Sequence, residues 1–513
     1  MNAPAHSPAR HVAFRVDASR DIGAGHAMRC LALAQALDSA GIESTFLAAR
    51  LPEELEHTFH TQGRRLVRIP DWPAGAGAPD AVADAEATLA ALSGIPPVVC
   101  LVVDHYGLDA VWEKHVRAQA TRILAIDDLA DRRHDADWLL DQNLQTRADR
   151  YAGLVPRGCR ELLGPRFALL RPEFAKLRAS SAGISRRARV LLAAGAGDAG
   201  NATGRVLAAW RLVGAPRPPL DVVIGAMHPH AGEIREQCAA MADVRLHVQT
   251  DRMAELLAES RLLIGAAGTI SWERCCLGVP ALMFSTADNQ RFNLQTLAAR
   301  RTGLSLGPAS ALDAALLAQL ITRVLARPAL LERWSRRAGV LVDGLGARRL
   351  AVLIGADSIE LRPATADDAA QSWQWRNHPH TRGFSRDSSE IPFEHHRAWW
   401  HKAVDDPRRR IYIARCASID VGVLRLDIEG DSAEVSIYLD PALNGLGLGP
   451  AMLRNAQRAV QAGNPRVARL TAGIVPGNRA SERAFTRVGF ERDGEQWVWS
   501  KGQYRSESKV NES

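Results

Sequence analysis

Apolar residues along this chain occur in short runs that alternate with stretches of helical spacing. VAFRVD, PPVVCLVVD and RILAIDD are near-continuous apolar runs that end in polar residues, as is typical of buried parallel strands. After the first run, Met28, Leu31, Ala34 and Leu37 form one apolar stripe at helical spacing, which predicts a helix starting near Ala27. Strands that alternate with helices in this way favour a parallel α/β sheet.

The same alternation restarts after a linker, with ARVLLAAGAGDAGN reading as a strand, a glycine-rich turn and a helix. We therefore predict two successive α/β domains, at residues 11–175 and 185–353. A different pattern follows, in which a helix-rich segment precedes IYIARC, DVGVLRLDI and AEVSIYL, three strands of the antiparallel type. It predicts a third domain of the α+β class at residues 358–500.

Composition narrows the functional classes. A length of 513 residues fits about three domains. The net charge of +7 is small and no block of like charges occurs, so we expect no nucleic-acid partner. The seven cysteines form no CxxC pair, which argues against a disulfide framework and a zinc site. The sequence shows neither a signal-peptide core nor a run of about 20 apolar residues, so we expect a cytoplasmic protein without a membrane segment.

The first candidate site is the loop at residues 21–26, between the first strand and the first helix. Gly23 and Gly25 allow a tight turn and a close approach to a ligand, and His26 stands at the helix start. A histidine there can act as a general base near neutral pH. The alternative is a simple glycine turn with His26 as an ordinary residue of the first helical turn.

Longer blocks of residues 11–350 resemble a known enzyme family. The blocks are RVDASRDIGAGHAMRCLALAQAL, VVDHYGLD, AIDDLADRRHDADWLLDQN, LLGPRFALLRPEF, GAAGTISWERCCLGVPALMF with ADNQ, and DGLGARR. They resemble the UDP-sugar hydrolases of pseudaminic acid biosynthesis. The resemblance implies two Rossmann-like domains in the GT-B arrangement and metal-free attack of water on UDP-2,4-diacetamido-2,4,6-trideoxy-β-L-altropyranose. It also implies that His26 deprotonates the water and that Tyr106 and Asn289 lie near the sugar; the alternatives are a core tyrosine and a helix cap.

Further residues are candidates for binding the nucleotide. The turns containing Gly195 and Gly197, and Gly268 and Thr269, follow strands and open helices, an arrangement that can hold a pyrophosphate. In GT-B transferases a glutamate at the place of Glu273 accepts hydrogen bonds from the ribose, although a first-turn carboxylate is the alternative. Arg171 is either a phosphate ligand or part of a structural ion pair. Four aspartates at strand ends are candidates for orienting the sugar or His26, and the sequence does not choose among them: Asp17, Asp104, Asp127 and Asp128.

The third domain carries a second glycine loop, NGLGLG, between a strand and a helix. This loop resembles motif A of the GCN5-related N-acetyltransferases (GNAT), and PGNRASERAFTRVGF resembles their later signature. The resemblance implies acetyl-CoA as co-substrate, bound by Leu439, Asn444, Gly445, Gly447, Leu448, Gly449, Asn478 and Ser481. Asn444 departs from the usual Arg or Gln. WQWRNHP and FEHHRAWW resemble the branch that acetylates UDP-4-amino sugars.

Two positions in this domain bear on its chemistry. Many GNAT relatives have a tyrosine at the position of Phe485, whose hydroxyl protonates the departing thiolate, and phenylalanine cannot do this. Tyr438, Ser481 or a water could replace it, or the domain could be inactive. Glu434 is a candidate base for the amine, with a solvent-facing carboxylate as the alternative. We interpret His395, His396 and His401 as nucleotide-sugar contacts or surface residues rather than metal ligands.

Three hypotheses follow. The favoured one is a bifunctional enzyme that acetylates a UDP-4-amino sugar and hydrolyses the product, with UDP-amino sugars and acetyl-CoA as substrates and no metal. The second is a GT-B glycosyltransferase that moves a UDP-activated amino sugar onto an acceptor. The third is a hydrolase whose GNAT domain is degenerate.

Overall fold

The computed structural model describes residues 10–19, 23–71, 80–195, 197–226, 228–463 and 467–501. Asp21, Ile22 and Ala196, which belong to the predicted glycine loops, lie outside the described residues, as does the polar tail from residue 502. The chain forms two compact units, the first extending to Leu350 and the second starting at Ala351, with residues 39–41 counted in the second. The first unit covers the two predicted α/β domains except for residues 39–41 and 351–353, which belong to the second unit.

The first sheet has seven parallel strands in the order β3-β2-β1-β4-β5-β6-β7. Its strands are β1 (His11–Val16), β2 (Glu43–Ala48), β3 (Arg65–Arg68), β4 (Val98–Asp104), β5 (Ile123–Ile126), β6 (Trp138–Asp141) and β7 (Arg160–Leu163). The helices are α1 (Gly25–Ser39), α2 (Glu53–Thr61), α3 (Ala81–Leu92), α4 (Ala110–Val116) and α5 (Pro172–Ser180). The order 3-2-1-4-5 is that of a doubly wound Rossmann-like sheet.

The second sheet has six parallel strands in the order β10-β9-β8-β11-β12-β13, which is again the Rossmann-like order. Its strands are β8 (Arg189–Ala193), β9 (Leu220–Ile224), β10 (Val244–Val248), β11 (Ser260–Ala266), β12 (Ala281–Ser285) and β13 (Gly303–Pro308). The helices are α6 (Ala202–Leu212), α7 (Ala231–Ala239), α8 (Met253–Glu259), α9 (Ile270–Cys276), α10 (Arg291–Ala299), α11 (Ala314–Leu325), α12 (Pro328–Gly339) and α13 (Gly346–Gly355).

The second unit is an α+β fold with one seven-stranded sheet in the order β14-β15-β16-β17-β18-β20-β19, in which only the pair β17–β18 is parallel. Its strands are β14 (Ile359–Pro363), β15 (Arg409–Cys416), β16 (Ile419–Glu429), β17 (Ser432–Leu439), β18 (Arg469–Gly473), β19 (Glu491–Asp493) and β20 (Gln496–Ser500). The helices are α14 (Ala369–Asn377), α15 (Pro379–Arg382), α16 (Phe393–Asp405), α17 (Leu448–Gly463) and α18 (Arg479–Arg487).

These topologies confirm the predicted fold class. In β1, all six residues are buried, as expected for a strand covered on both faces. Helix α1 begins at Gly25, two residues before Ala27, and so includes His26 in its first turn. Among the described residues, no single helix has the length and apolar composition to cross a membrane; one bent pair, α11 with α12, meets that test only when the two are taken together.

A buried charge cluster makes the stability of the first unit depend on pH. His134 Nδ1 lies 2.7 Å from Glu113 Oε1, and its Nε2 lies 3.9 Å from Asp127 Oδ2. Burial lowers the pKa of His134, but the two carboxylates outweigh this effect and raise the pKa to about 9. The folded-state pKa is above the unfolded value, so the stabilisation is complete below about pH 6.5 and is lost as pH rises through 9.

We therefore expect the free energy of unfolding to fall by about 3 kcal/mol between pH 6 and pH 10 on account of His134. Urea unfolding of the wild type and of Glu113→Gln, measured across this range, checks the expectation. The variant should show a much shallower loss, whereas Asp149→Asn, which alters an exposed ion pair with Arg147, should follow the wild type. Parallel curves for wild type and Glu113→Gln would contradict this assignment.

Candidate functional site

His26 is a buried residue in the first turn of α1. Gly23 precedes it with a φ of +81°, a left-handed conformation that glycine adopts without strain. Gly25 lies close to the second sheet's domain, because a Cβ atom there would be 3.0 Å from Oγ1 of Thr269. The glycine loop therefore brings the start of α1 next to the loop before α9, and His26 stands between the two α/β domains of this unit.

The imidazole of His26 is held by a buried carboxylate at the end of β4. Its Nδ1 lies 2.5 Å from Oδ1 of Asp104. Burial alone would raise the pKa of Asp104, but the charges and hydrogen bonds of Arg29 and His26 hold it well below its usual range. A carboxylate can only accept at this position, so Nδ1 carries the proton and Nε2 of a neutral imidazole carries the free lone pair.

The two residues expected near the sugar form a second group of contacts beside His26. We call the His26–Asp104 pair and this second group, Tyr106 with Asp128 and Asn289, the two arms of the site. The Tyr106 hydroxyl donates to Asp128 Oδ1 at 2.9 Å, and Asn289 Nδ2 donates to the Tyr106 oxygen at 3.4 Å. The rings of His26 and Tyr106 meet edge to face with centroids 4.7 Å apart. The structure thus brings His26, Tyr106 and Asn289 together, although Asn289 comes from the second sheet's domain.

The other two strand-end aspartates are engaged elsewhere. Arg15 donates to Asp17 at 2.6 and 3.0 Å, and the backbone N–H groups of residues 49 and 50 donate to the same carboxylate. Arg132 donates to Asp127 at 2.7 Å. Of the four candidates, Asp104 orients His26, Asp128 holds Tyr106, and the remaining pair belongs to the buried scaffold.

A cavity of about 600 Å³ adjoins this cluster within the first unit. It is lined by loops of both α/β domains: Asp128, Leu129, Ala130, Thr146, Arg147, Asp149, Arg150, Ala152, Asp288, Asn289 and Phe292. The guanidinium of Arg150 lies 4.5 Å from the centre of the Phe292 ring and donates to the carbonyl of Asp128 at 2.7 Å. The cavity is large enough for a monosaccharide with small substituents, and its wall mixes carboxylates, guanidinium groups and one aromatic face.

The predicted phosphate turn before α6 is only partly open to a ligand. Asp198 accepts hydrogen bonds from the N–H groups of Ala202 and Thr203 at 2.8 Å each, and Asn201 caps the N–H of Gly204 at 3.0 Å. These first-turn donors are therefore already satisfied by side chains. Any phosphate contact in this turn would involve Gly195 and Gly197, which stay predictions.

The turn before α9 offers a more open helix terminus. Helical hydrogen bonding begins with the N–H of Ser271, which donates to Gly268, so the N–H groups of Thr269 and Ile270 lie ahead of it. Glu273 is partly buried in the first turn. The protein around its carboxyl raises the pKa to about 7, although the nearby Arg171 acts in the opposite direction. Arg171 itself pairs with Glu173 at 3.0 Å.

In the second unit, the NGLGLG loop leads from β17 into α17. Gly445 and Gly447 have φ values of +82° and +81°, so this turn depends on two left-handed residues directly before Leu448 and Gly449. Strands β17 and β18 pair only from Ser432 to Glu434 and then separate, while β17 continues to Leu439. The predicted acetyl-CoA loop thus follows a strand that has parted from its neighbour.

The later signature residues have identifiable structural roles. Asn478 caps α18, since its side chain accepts from the N–H of Ser481 at 3.1 Å. Phe485 is buried and meets Phe490 edge to face at 4.9 Å, as core packing requires. Tyr438 packs toward α14 and α16, whereas its neighbour Ile437 points at Gly449 of α17. Tyr438 therefore faces the layer opposite to α17, and Ser481 shares a helix with Phe485.

Glu434, the candidate base, carries an ion pair. Arg386 donates to its Oε1 at 2.6 Å, and the same guanidinium covers Gly473, where a Cβ atom would lie 2.5 Å from Nη2. Both side chains are substantially exposed. Proton acceptance by Glu434 would require Arg386 to move or the other carboxylate oxygen to serve, so its role as base stays a prediction.

His396 is not a surface residue, and its role as a nucleotide-sugar contact stays a prediction. Its side chain is buried, lies 2.9 Å from the hydroxyl of Ser372 and stacks against Trp400. Burial, together with the charge of Arg376, lowers the pKa of His396 to about 4. His395 and His401 are exposed. Over the described ranges, no group of three or more His, Cys, Asp or Glu side chains is arranged to hold a metal ion.

Comparison with known proteins identifies the class of the second unit. Residues 358–491 match the family model described as an acetyltransferase (GNAT) domain. The chain therefore combines two Rossmann-like α/β domains with a C-terminal GNAT domain. The crystal structure of MurG from Acinetobacter baumannii has a related fold, with 17% identity, a TM-score of 0.47, and coverage of 67% of this chain and 99% of that chain.

Two curated proteins are similar in sequence. One is the UDP-2,4-diacetamido-2,4,6-trideoxy-beta-L-altropyranose hydrolase of Campylobacter jejuni subsp. jejuni serotype O:2, which is 23% identical over 261 residues, or 50% of this chain and 85% of that protein. The other is the spore coat polysaccharide biosynthesis protein SpsG of Bacillus subtilis (strain 168), which is 26% identical over 192 residues. The latter match covers 37% of this chain and 57% of that protein.

Sequence reasoning missed Arg29 and Arg150. Arg29 follows His26 by three residues in GHAMR, a spacing that places two side chains on one face of a helix. That spacing was the available signal, but it could not show which carboxylates Arg29 contacts, because these come from β4 and from the loop after β5. Arg150 carried no comparable signal, because Phe292, the carbonyl of Asp128 and the carboxylate of Asp141 are brought to it only by the fold.

Proposed function

We propose that the first unit hydrolyses a UDP-2,4-diacetamido-2,4,6-trideoxy sugar to UDP and the free sugar, and that the GNAT domain acetylates the UDP-4-amino precursor. The observation that carries the first half is the His26–Asp104 pair beside Tyr106 and Asn289, at the edge of a cavity of about 600 Å³. The match to a GNAT domain and the similarity to a hydrolase of this substrate support the combination.

The hydrolytic step needs one base and a stabilised leaving group. Because the Nδ1–H group of His26 donates a hydrogen bond to Asp104, Nε2 is free to accept the proton of a water that attacks the anomeric carbon. The bond between that carbon and the phosphate oxygen breaks, and its electrons leave with UDP. The proton resides on His26 until it is released to solvent. Tyr106 and Asn289 would hold the sugar so that its anomeric carbon faces this water.

The departing UDP would be stabilised by the loop before α9. The N–H groups of Thr269 and Ile270 and the positive end of the helix can bind a phosphate oxygen, and Arg171 supplies a charge nearby. Glu273 would form hydrogen bonds to the ribose hydroxyls, and among the described residues no side-chain hydrogen bond to its carboxyl competes with this role. This division puts the sugar toward the first sheet and the nucleotide toward the second.

The GNAT domain would transfer an acetyl group from acetyl-CoA to the 4-amine. The amine attacks the thioester carbonyl, the carbon–sulfur bond breaks, and the amine's proton is transferred to a base while the CoA thiolate is protonated. Phe485 cannot supply that proton, and we favour Ser481 over Tyr438 as the donor, because Ser481 is on the same helix as Phe485 whereas Tyr438 packs toward α14 and α16. A product acetylated in this way would be the substrate of the first unit.

One experiment tests both halves. The purified chain is incubated with the UDP-4-amino sugar, with and without acetyl-CoA, and the products are followed by mass spectrometry. We expect free diacetamido sugar, UDP and CoA only when acetyl-CoA is present. An intact UDP-diacetamido sugar would refute the hydrolase, and transfer of the sugar to an added acceptor would favour the glycosyltransferase. An unchanged amine with rapid hydrolysis of pre-acetylated substrate would show a degenerate GNAT domain.

The cavity wall yields a separate prediction. Arg150→Ala should raise the KM of the UDP-diacetamido sugar about tenfold and change kcat less, because it removes a wall of the proposed sugar pocket but none of the His26 contacts. Arg147→Ala is the matched control, since Arg147 also lines the cavity but its side chain is 74% exposed and pairs with Asp149. Steady-state kinetics distinguish the two. Equal KM values for both variants would contradict a sugar-binding role for Arg150.

A further inference from the structure

A single buried guanidinium connects both arms of the candidate site. Arg29 lies one helical turn after His26 and is 5% exposed. Its Nε donates to Oδ2 of Asp104 at 2.6 Å, and its Nη2 donates to Oδ1 at 2.6 Å. The remaining nitrogen, Nη1, donates to Oδ2 of Asp128 at 3.1 Å. All three nitrogens of one side chain are therefore committed to the two carboxylates of the site.

This arrangement restricts the geometry of the base. A carboxylate held at both oxygens by one planar guanidinium cannot rotate, so Oδ1 of Asp104 stays directed at Nδ1 of His26. The contact with Asp128 fixes the carboxylate that accepts from Tyr106. The positions of the imidazole and the phenol are thus coupled through Arg29, in addition to their direct ring contact.

The charges of the cluster bear on proton transfer. The groups that face His26 are Arg29 from α1, Asp104 from β4 and Tyr106 from the following loop, with Asp128 reached through Arg29 and Asn289 through Tyr106. With neutral His26, the two carboxylates exceed the one guanidinium by one negative charge. Loss of Arg29 would leave Asp104 and Asp128 without this guanidinium, so the cluster beside His26 would carry one more negative charge.

We propose that Arg29 is a positioning residue that orients His26 through Asp104 and Tyr106 through Asp128, and that its charge keeps His26 available as a base. The inference rests on the proposed hydrolysis. It assigns to Arg29 a role in kcat and in the pH profile rather than in binding of the nucleotide, because the side chain reaches only the carboxylates and the imidazole.

The test compares two variants. Arg29→Lys keeps the charge but loses the two-point contact with Asp104, and Arg29→Met keeps the approximate side-chain volume but loses the charge. For Arg29→Lys we expect kcat to fall about tenfold with KM within about threefold, and the acid limb of the pH profile to stay in place. For Arg29→Met we expect that limb to move to higher pH by about one unit or more. The control is Arg217→Lys, since Arg217 holds Asp243 by the same two-point contact away from the site.

Rates are normalised to the number of UDP-binding sites measured by calorimetry, so that loss of folded protein is not counted as loss of kcat. A purely structural Arg29 would give wild-type kcat per site in Arg29→Lys and an unmoved acid limb in Arg29→Met, and either result overturns the inference. Removal of a buried charge that pairs with two carboxylates can prevent folding. If Arg29→Met does not fold, Asp128→Asn replaces it. That variant cuts one of the two arms and should lower kcat about tenfold.

A measurement without substrate separates this inference from the proposed function. Selective ¹⁵N-histidine labelling of the full chain should show a strongly downfield proton on His26 Nδ1, from its 2.5 Å contact with Asp104. Arg29→Lys should shift or broaden this signal, and Arg217→Lys should leave it unchanged. An unaltered signal in Arg29→Lys overturns the positioning role. If the wild-type protein shows the downfield signal but does not release UDP, the proposed hydrolysis is refuted and the positioning role of Arg29 is not.

Discussion

Replacing His26 with alanine should lower the rate of UDP release from the UDP-diacetamido sugar by about 10³-fold, because a positioned general base contributes roughly 10²–10⁴ to such a step. The imidazole meets the Tyr106 ring edge to face, and its Nδ1 is engaged by Asp104, which leaves Nε2 as the free nitrogen. Acetylation of the UDP-4-amino sugar, measured as CoA release, should stay at the wild-type rate, since it takes place in the other unit.

The matched control for this variant is His247→Ala. His247 is also paired with an aspartate of the first unit, its Nε2 lying 2.8 Å from Oδ1 of Asp221, but it belongs to β10 and to none of the proposed contacts. Its removal should leave UDP release within about twofold of wild type. Hydrolysis at the wild-type rate by His26→Ala would show that His26 is not the base. Equal losses in both variants would point to a general effect on folding.

The second large effect is expected in the GNAT domain. Gly447→Val should raise the KM of acetyl-CoA about 100-fold or more and leave UDP release unchanged. At a φ of +81° a β-branched residue is strongly strained, so the loop would rearrange. The backbone N–H groups that we expect this loop to present to the pyrophosphate would move with it. Loss of two charge-assisted hydrogen bonds of about 1.5–3 kcal/mol each accounts for the magnitude.

A second left-handed glycine provides the control. Gly430 has a φ of +61° in the turn between β16 and β17, and a Cβ atom there would meet nothing within 4 Å. Gly430→Val should cost stability through the same strain but keep the wild-type KM for acetyl-CoA. Isothermal titration with CoA separates binding from catalysis in both variants. Unchanged CoA affinity in Gly447→Val would refute the assignment of this loop, and with it the cofactor site.

The architecture was largely predictable from the sequence. Runs such as PPVVCLVVD are apolar on both faces, and only a strand covered on both sides buries every position. The change to alternating strands after residue 358 likewise predicted the antiparallel part of the third sheet. The boundary at Gly25 was less predictable, because the left-handed turn residue is Gly23, and nothing local shows that the second glycine already belongs to the helix.

The contacts of the site were only partly predictable. His26 followed from the GxGH spacing, and four aspartates could be placed at strand ends, but nothing local distinguished Asp104 from the rest. Asp104 contacts His26 because β4 lies beside β1, while Arg15 and Arg132 engage Asp17 and Asp127. Which aspartate contacts His26 therefore depends on the strand order and on arginines that each pair with two carboxylates.

Local features of the chain were enough to predict its strands and helices, its glycine turns and the families that it resembles, because periodicity and motifs are local properties. The contacts of Asp104 with His26, of Arg29 with both carboxylates of the site, and of Asn289 with Tyr106 became visible only in the fold. The last pair is 183 residues apart in the chain. Contacts of that kind depend on how two α/β domains pack, which no short stretch of residues encodes.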